Sequence, residues 1–304
     1  MKLWEIGEEA VLERIRREAG VEDNDVSYVR GKGGDLLIIK IDGGAFSRTK
    51  MEFMTLYDVG WRTTVGALSD VFVKLGRPMA IAASITLRRD AEEEDAVQLM
   101  RGVRDAGSRY GAPLVGGDLN EGEEGVIDVA VIGAAEREVG RRPRPGDSLV
   151  TLPLFGYNGL AFKLWRERAG NPAVARGVEM LRRPELPLQV YGDASLADCL
   201  DASMDSSDGL GRVLHVMGRS AKIIVTSLPA PRDVVEAAVE LGIPVEEAVF
   251  NGGEEYLPVF AVRRDCVNRL RGMGMVEFAE VEEGSGVYYG GEPLQYRGWE
   301  YFTQ

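Results

Sequence analysis

The stretch "ASMDSSDGLGR", Ala202 to Arg212, sets Asp205 and Asp208 three residues apart around two serines, with Gly209 and Gly211 following. No basic residue separates the two carboxylates. One reading is local: Ser and Asp cap helices, and Asp208-Gly209 turns the chain into the amphipathic segment "GLGRVLHVMGR". The other is chemical: two like charges at short range draw a cation such as Mg²⁺, and with it a phosphate. The rest of the chain has to decide between them.

The bulk composition narrows the classes. A chain of 304 residues suggests about two domains. Hydrophobic residues make up 45% and charged residues 28%, the balance of a globular protein. No apolar run approaches the ~18 residues that would span a membrane. The N-terminal "MKLWEIGEEAVLERIRREAG" has apolar residues at helical spacing among glutamates, so it reads as an amphipathic helix rather than a signal peptide. A cytoplasmic location is expected. The net charge of −13 argues against nucleic acid as a partner, and any phosphate ligand has to arrive with its own metal. Cys199 and Cys266 lie far apart in no metal-like spacing, so each is expected to be a structural thiol, with neither a disulfide framework nor a zinc site. The one histidine, His215, sits in the apolar run "RVLHVM" and reads as a packing residue. Chemistry without histidine excludes most triads and histidine-ligated metals.

Strands are expected at 36–42, 80–87, 126–135, 148–154, 222–228 and 256–262, where Val, Ile and Thr are bounded by Gly, Asp or Pro. Helices are expected at 4–19, 58–75, 90–110, 158–169, 209–218, 231–241 and 264–273. The two kinds interleave, so the class is α/β or α+β. The charged, Pro- and Gly-bearing stretch "EREVGRRPRPGDS" places a domain boundary near residue 138, giving domains 1–137 and 138–304.

Acidic residues recur beside glycines. Asp42 is expected to close the strand "LLIIKID" before Gly43-Gly44, and Asp118 to close "PLVGGD" after Gly116-Gly117. Asp70 in "ALSDV" begins or interrupts a helix, and Asp25 lies in "EDNDV". Each alone is ordinary turn chemistry. Together, beside glycines that let a backbone approach a ligand, they suit Mg²⁺ held by carboxylates and substrate phosphates. Asp42, Asp70, Asp118, Asp205 and Asp208 are therefore expected to meet in one cleft. In "FNGGEEYLPVF", Glu254 and Glu255 follow a Gly-Gly turn, either as solvated hairpin residues or as a carboxylate held at a cleft.

The segments "ALSDVFVKLGRP", "PLVGGD", "MDSSDGL", "GGEEY" and "GGEPLQYRGWEYF" occur in the order and near the spacing of thiamine-monophosphate kinases. The chain thus resembles that family, within the PurM-like (aminoimidazole-ribotide synthetase-like) superfamily, over nearly its whole length. The resemblance implies a two-domain PurM-like fold: an N-terminal sheet domain that pairs in a homodimer, and a C-terminal α/β domain. It implies transfer of the γ-phosphate of ATP to thiamine monophosphate with several Mg²⁺ ions. Metal positions then fall on Asp25, Asp42, Asp70, Asp118, Asp205 and Asp208, with catalytic roles for Asp42, Asp70, Asp118 and Asp208. Nucleotide contacts fall on Gly117, Asp118, Arg141 and Ser207, and substrate contacts on Thr49, Glu254 and Trp299. The acceptor phosphate is itself an anionic nucleophile, so no strong general base is needed.

Several positions depart from the family pattern. Asn24 replaces a carboxylate, Lys40-Ile41 replaces hydroxyl residues before Asp42, and Ala67 replaces an asparagine. "LPLFGYNG" replaces a small-residue, aspartate-bearing turn, and Thr49, flanked by Arg48 and Lys50, aligns with a substrate-contacting histidine. Lys40 beside a metal site either replaces one cation with an ammonium or points away from it. Two other functions compete with the leading one: a diverged kinase of another small metabolite, and a catalytically silent ATP-binding dimer.

Overall fold

The computed structural model describes residues 2–192 and 196–302. Two sheets organise it. The first has five strands in the order β1-β2-β5-β3-β4: β1 Ser27–Arg30, β2 Leu36–Ala45, β3 Arg77–Leu87, β4 Leu114–Glu121 and β5 Val126–Ala135. Its pairings are antiparallel except β3 with β4, which run parallel and are joined by a crossover helix. The second has seven strands in the order β12-β11-β8-β10-β6-β9-β7: β6 Asp147–Thr151, β7 Leu200–Asp205, β8 Lys222–Val225, β9 Pro258–Arg263, β10 Val276–Glu282, β11 Gly286–Tyr289 and β12 Glu292–Pro293.

The described helices are α1 Leu3–Ala19, α2 Phe46–Thr49, α3 Leu56–Val73, α4 Glu93–Arg109, α5 Tyr157–Leu164, α6 Pro172–Arg182, α7 Leu188–Tyr191, α8 Leu210–Met217, α9 Arg232–Leu241, α10 Val245–Phe250 and α11 Val267–Gly272. The interleaved class expected from the sequence is the one observed. No described helix is long and apolar enough to cross a membrane.

α3 is the central element. It is buried almost all round, which its run of Val, Ala, Leu, Gly and Thr permits. A Thr55–Asp58 capping box starts it, and Arg182 and Arg183 bind the same Asp58 carboxylate. Its first turns cross α4 closely enough that a Cβ on Gly60 would lie 2.1 Å from the Leu99 carbonyl oxygen. Val65, Leu68 and Val71 pack beneath Ile38, Ile81, Val129 and Val131 of the first sheet. Val73, at the end of α3, belongs to the core of the second sheet, and Tyr256, from the second half, joins the core of the first. The two cores interlock at the joint where the carboxylates gather.

Several local expectations are corrected. Asp42 and Asp118 do not close strands: β2 continues to Ala45 and β4 to Glu121, because the glycines that follow or precede them pair in the sheet. Asp70 lies inside α3, neither beginning nor interrupting it. Residues 251–257 form no hairpin but an irregular crossing into β9. Strand β4 figures among the expectations only through Asp118, and strands β1, β7, β10, β11 and β12 and helices α2, α6, α7 and α10 have no counterpart there. Gly and Ser lower the strand signal of β4 and β7, and tertiary pairing overrides it.

The cysteines are not thiols: Cys199 and Cys266 form a disulfide, with Cα atoms 5.8 Å apart. The two lie far apart in sequence, but β7 and β9 run antiparallel with Leu200 opposite Val262, which brings the residue before one strand beside the segment after the other. Unfolded but unreduced protein is therefore expected to show no free thiol towards a thiol reagent. The Cys199→Ser/Cys266→Ser double variant should lose about 2–4 kcal/mol of stability in denaturant titration. Two reactive thiols in the unreduced chain, with equal stability of both proteins, would contradict the bridge.

Candidate functional site

The opening stretch resolves into a strand end, a loop and a helix start. β7 ends on Asp205, residues 206–209 turn, and α8 begins at Leu210 with Gly209 as its N-cap. No side chain caps that helix, so the capping explanation of the serines and aspartates fails. Ser206 accepts a hydrogen bond from the Leu257 N–H, and the Ser207 carbonyl accepts one from Glu254. These bonds tie the Asp205–Asp208 loop to the "GGEEY" segment. The C-terminal Gly298-Trp299 pair is tied in as well, with the Trp299 N–H donating to the Asp208 carbonyl at 2.9 Å. Only a glycine allows that approach, since Gly298 has φ +71° and an added Cβ would lie 2.4 Å from the Asp208 carbonyl oxygen.

These loops wall a cavity of about 310 Å³ at the joint of the two sheets. Asp25, Asp42, Asp70, Asp205, Ser207, Asp208, Arg141, Thr49 and Glu254 all line it. α3 supplies its floor by helical spacing. Arg62, Gly66, Asp70 and Lys74 follow one another at intervals of four, so they stand on one face.

The charges are paired in a definite pattern. Lys74, fully buried, places Nζ 2.7 Å from Asp25 Oδ2 and donates to the carbonyl of Ser203. Arg141 Nε donates to Asp25 Oδ1 at 2.8 Å, and its Nη1 to Asp23. Burial alone would raise the Asp25 pKa, but Lys74 and Arg141 outweigh it and hold the carboxyl at about 2. Lys40 Nζ lies 2.7 Å from Asp70 Oδ2 and 3.8 Å from Asp42 Oδ2. Burial would push this ammonium down, but Asp70 and Asp42 hold it firmly charged. Asp205 accepts from the Ser69 hydroxyl, yet burial, with Asp25 adding to it, pushes its carboxyl up to about 7. Burial and the nearby Glu8 push Asp208 up to about 7, against Arg212. On the opposite wall Arg62 Nε meets Glu254 Oε2 at 3.2 Å, and the Tyr256 hydroxyl donates to the same carboxylate.

One expected member stands elsewhere. Gly117 and Asp118 line a different depression, with Arg101 and Arg104 of α4. Strand parity is the reason. Asp42 is in register with Val129 and Ala83, both buried on the inner face, whereas Asp118 pairs with Ser84, opposite Asp128, on the outer face. Within one chain Asp42 and Asp118 point to opposite sides of the same sheet, so the five aspartates do not converge. The Trp299 ring is half exposed and packs edge-on against Tyr301, which does line the cavity. Arg48 and Lys50, on either side of Thr49, are exposed and outside the lining; Arg62 is the cation on that wall. His215 is not part of the lining either.

Sequence reasoning missed Lys74, Arg62 and Glu8. The four-residue spacing around Asp70 was the available signal for the first two. Glu8 enters the cavity because Gly7 breaks α1 with φ 76°, which no periodicity count shows.

The donors in the cleft are all oxygen, from Asp42, Asp70, Asp205 and Asp208, which fits a hard cation such as Mg²⁺ rather than zinc. Among the described residues no three His, Cys, Asp or Glu side chains form a ready-made ion site. A cation there would complete its shell with ligand phosphate oxygens, the usual arrangement for Mg²⁺.

The raised carboxyls make a signed prediction. Folded protein holds protons on Asp205 and Asp208 up to about pH 7, and on the buried Glu255 up to about 8, while the unfolded chain releases them near the ordinary values of 3.8 and 4.5. The folded state thus binds more protons across that window, so its stability falls as pH rises. Asp25 works oppositely, but its window lies below pH 4. Metal-free protein in chelator should melt at a higher temperature at pH 5.5 than at pH 8, and Asp205→Asn should narrow the difference. A wild-type melting temperature that rises over this range, unaltered by the substitution, would contradict the burial of these charges.

Comparison with known proteins places this geometry. The family described as AIR synthase related protein, N-terminal domain, matches residues 22–135. The thiamine-monophosphate kinase of Pyrobaculum calidifontis is 47% identical over 298 residues, spanning 98% of this chain and 96% of its own. That of Aquifex aeolicus is 29% identical over 315 residues, spanning 99% and 100%. The solved structure of AaThiL complexed with AMPPCP and TMP superposes with a TM-score of 0.89 at 26% identity, covering 99% of both chains. Near-half identity over almost its entire length, on a PurM-like fold, means that this chain belongs to the thiamine-monophosphate kinase family.

Proposed function

We propose that the cavity transfers the γ-phosphate of ATP to thiamine monophosphate, giving thiamine diphosphate and ADP. The observation that carries this reading is the meeting of Asp42, Asp70, Asp205 and Asp208 with Arg141 and Glu254 around one cavity. An oxygen of the acceptor phosphate attacks the γ-phosphorus, a new P–O bond forms, and the bond to the β-phosphate oxygen breaks with its electron pair leaving on ADP. The acceptor phosphate carries its negative charge at neutral pH, so no proton has to be removed from it. That suits a cavity with no histidine in its lining.

Alignment and charge neutralisation are then the whole task. Asp42, Asp70, Asp205 and Asp208 would hold Mg²⁺, which supplies positive charge to the β- and γ-phosphates. Arg141, braced by Asp23 and Asp25, presents its remaining N–H groups to a phosphate. Ser207, whose hydroxyl donates to Asp205, lines the same cavity and would contact the nucleotide. Glu254, set by Arg62 and Tyr256, faces the cationic thiazolium, with Trp299 and Tyr301 offering aromatic faces nearby. Thr49 lines the same end, its hydroxyl donating to the Ala45 carbonyl at 3.0 Å.

We also propose a division into two domains near residue 138, between β5 and β6, and a homodimer formed through the outer face of the first sheet. Ile39, Ile41, Met79, Val115 and Ile132 are exposed in that sheet, an apolar surface that a second copy would cover. Asp118 stands on that outer side, so any part it takes in metal or nucleotide binding would run through the pairing of subunits.

Incubation with Mg²⁺, ATP and thiamine monophosphate should yield thiamine diphosphate and ADP in equal amounts. Asp205→Asn should lower kcat/KM more than about 100-fold. ATP turnover that ignores thiamine monophosphate at millimolar concentration would refute the acceptor. Trp299→Ala should raise the KM for thiamine monophosphate roughly 3- to 30-fold and leave that for ATP unchanged.

Light scattering should give twice the 33.2 kDa chain mass for the wild type and a smaller mass for Ile41→Asp. A fully active wild-type monomer at micromolar concentration would refute the dimer.

A further inference from the structure

We propose that the Lys40 ammonium is a resident cation of the carboxylate cleft, standing between Asp42 and Asp70 where another divalent ion would otherwise be needed. The inference rests on the reading that this cleft binds Mg²⁺ with ATP, and it concerns how the chain itself supplies part of the positive charge.

Position is the first ground. Lys40 and Asp42 are two apart on β2, so they project from the same side, over the inner face where α3 packs. The Lys40 side chain reaches Asp70 on α3 at 2.7 Å and Asp42 at 3.8 Å. An ion bridging those two carboxylates, at ~2.1 Å from each, would need nearly the place that Nζ occupies.

Confinement is the second. The other carboxylate within the cluster that ordinarily attracts an ammonium, Asp25, is already saturated by Lys74 and Arg141. Asp70 from α3, Asp42 from β2 and Asp205 from β7 all act on Lys40 to keep it charged. Removing Lys40 would leave Asp70, only 5% exposed, without its 2.7 Å partner.

The third ground is the absence, among the described residues, of any three-carboxylate ion site, although several aspartates line one cavity. With an ammonium already among them, fewer free carboxylate oxygens face one another. The same enzyme task is then carried out with a fixed charge on the protein in place of one exchangeable ion.

Mn²⁺ binding in the presence of the non-hydrolysable analogue AMPPCP tests this without turnover. Lys40→Met should bind about one more Mn²⁺ per chain than wild type by equilibrium dialysis, because the Asp42–Asp70 position opens to an ion. Lys40→Arg, which keeps the charge, should match wild type. Equal Mn²⁺ numbers in all three would overturn the proposal.

If Lys40→Met fails to fold, anomalous diffraction from wild-type crystals grown with Mn²⁺ and AMPPCP decides it. Nζ still within hydrogen-bond distance of Asp70 supports the resident ammonium; a lysine swung clear of both carboxylates, with Mn²⁺ in its place, refutes it. Failure to phosphorylate thiamine monophosphate would refute the acceptor and leave this result standing.

Discussion

Burying negative charge is the constraint on which this structure turns. Asp25, Asp70 and Asp205 are all nearly excluded from solvent at the joint of the two sheets, with Asp42 and Asp208 close by. Carboxylates removed from water and set beside one another are unfavourable unless cations or protons compensate. The chain compensates unevenly. Lys74 and Arg141 hold Asp25 charged, whereas at Asp70 burial and the nearby Asp205 outweigh Lys40 and push the carboxyl up. Asp205 and Asp208 are left with pKa values near 7. That residual demand for positive charge is what the proposed metal-bound polyphosphate would meet.

α3 makes the arrangement possible. Its burial lets one helix face carry Arg62, Gly66 and Asp70 into a charged cleft, with Lys74 buried against Asp25, while its other faces pack on the first sheet and on α4. Gly66 keeps the stripe low enough for Tyr256 to approach, an added Cβ lying 3.2 Å from its ring. The loop after β7, the segment before β9 and the C-terminal Gly298-Trp299 then close on that helix. They are fastened to one another by main-chain bonds, Glu254 to Ser207 and Trp299 to Asp208. Site and fold share these contacts, so the cavity is held by backbone pairing rather than by the side chains that line it.

The two faces of the first sheet divide the labour. Alternation along β2 sends Lys40 and Asp42 inward to the cleft and Ile39 and Ile41 outward. The same alternation on β4 sends Asp118 outward. An exposed apolar surface and the acidic Asp118 thus lie away from the cleft, on the side through which pairing of subunits is proposed.

What the sequence determined by itself was the identity of the parts. The short Asp-rich and Gly-rich segments were legible because each is local: Asp205-Ser-Ser-Asp208, Gly252-Gly-Glu254 and Gly298-Trp299 keep their meaning wherever the chain folds. Interleaved Val/Ile runs and helical periodicity likewise gave the α/β class. The partners of each charge were not legible, because they are set by elements distant in sequence. Lys74 meets Asp25 across the end of α3, and Lys40 meets Asp70 from β2 to α3. The Cys199–Cys266 bridge followed from the antiparallel pairing of β7 and β9, which no spacing of cysteines encodes. Strand parity decided the rest: whether Asp42 and Asp118 face one cavity depends on register across β2, β5, β3 and β4, and register is a property of the assembled sheet.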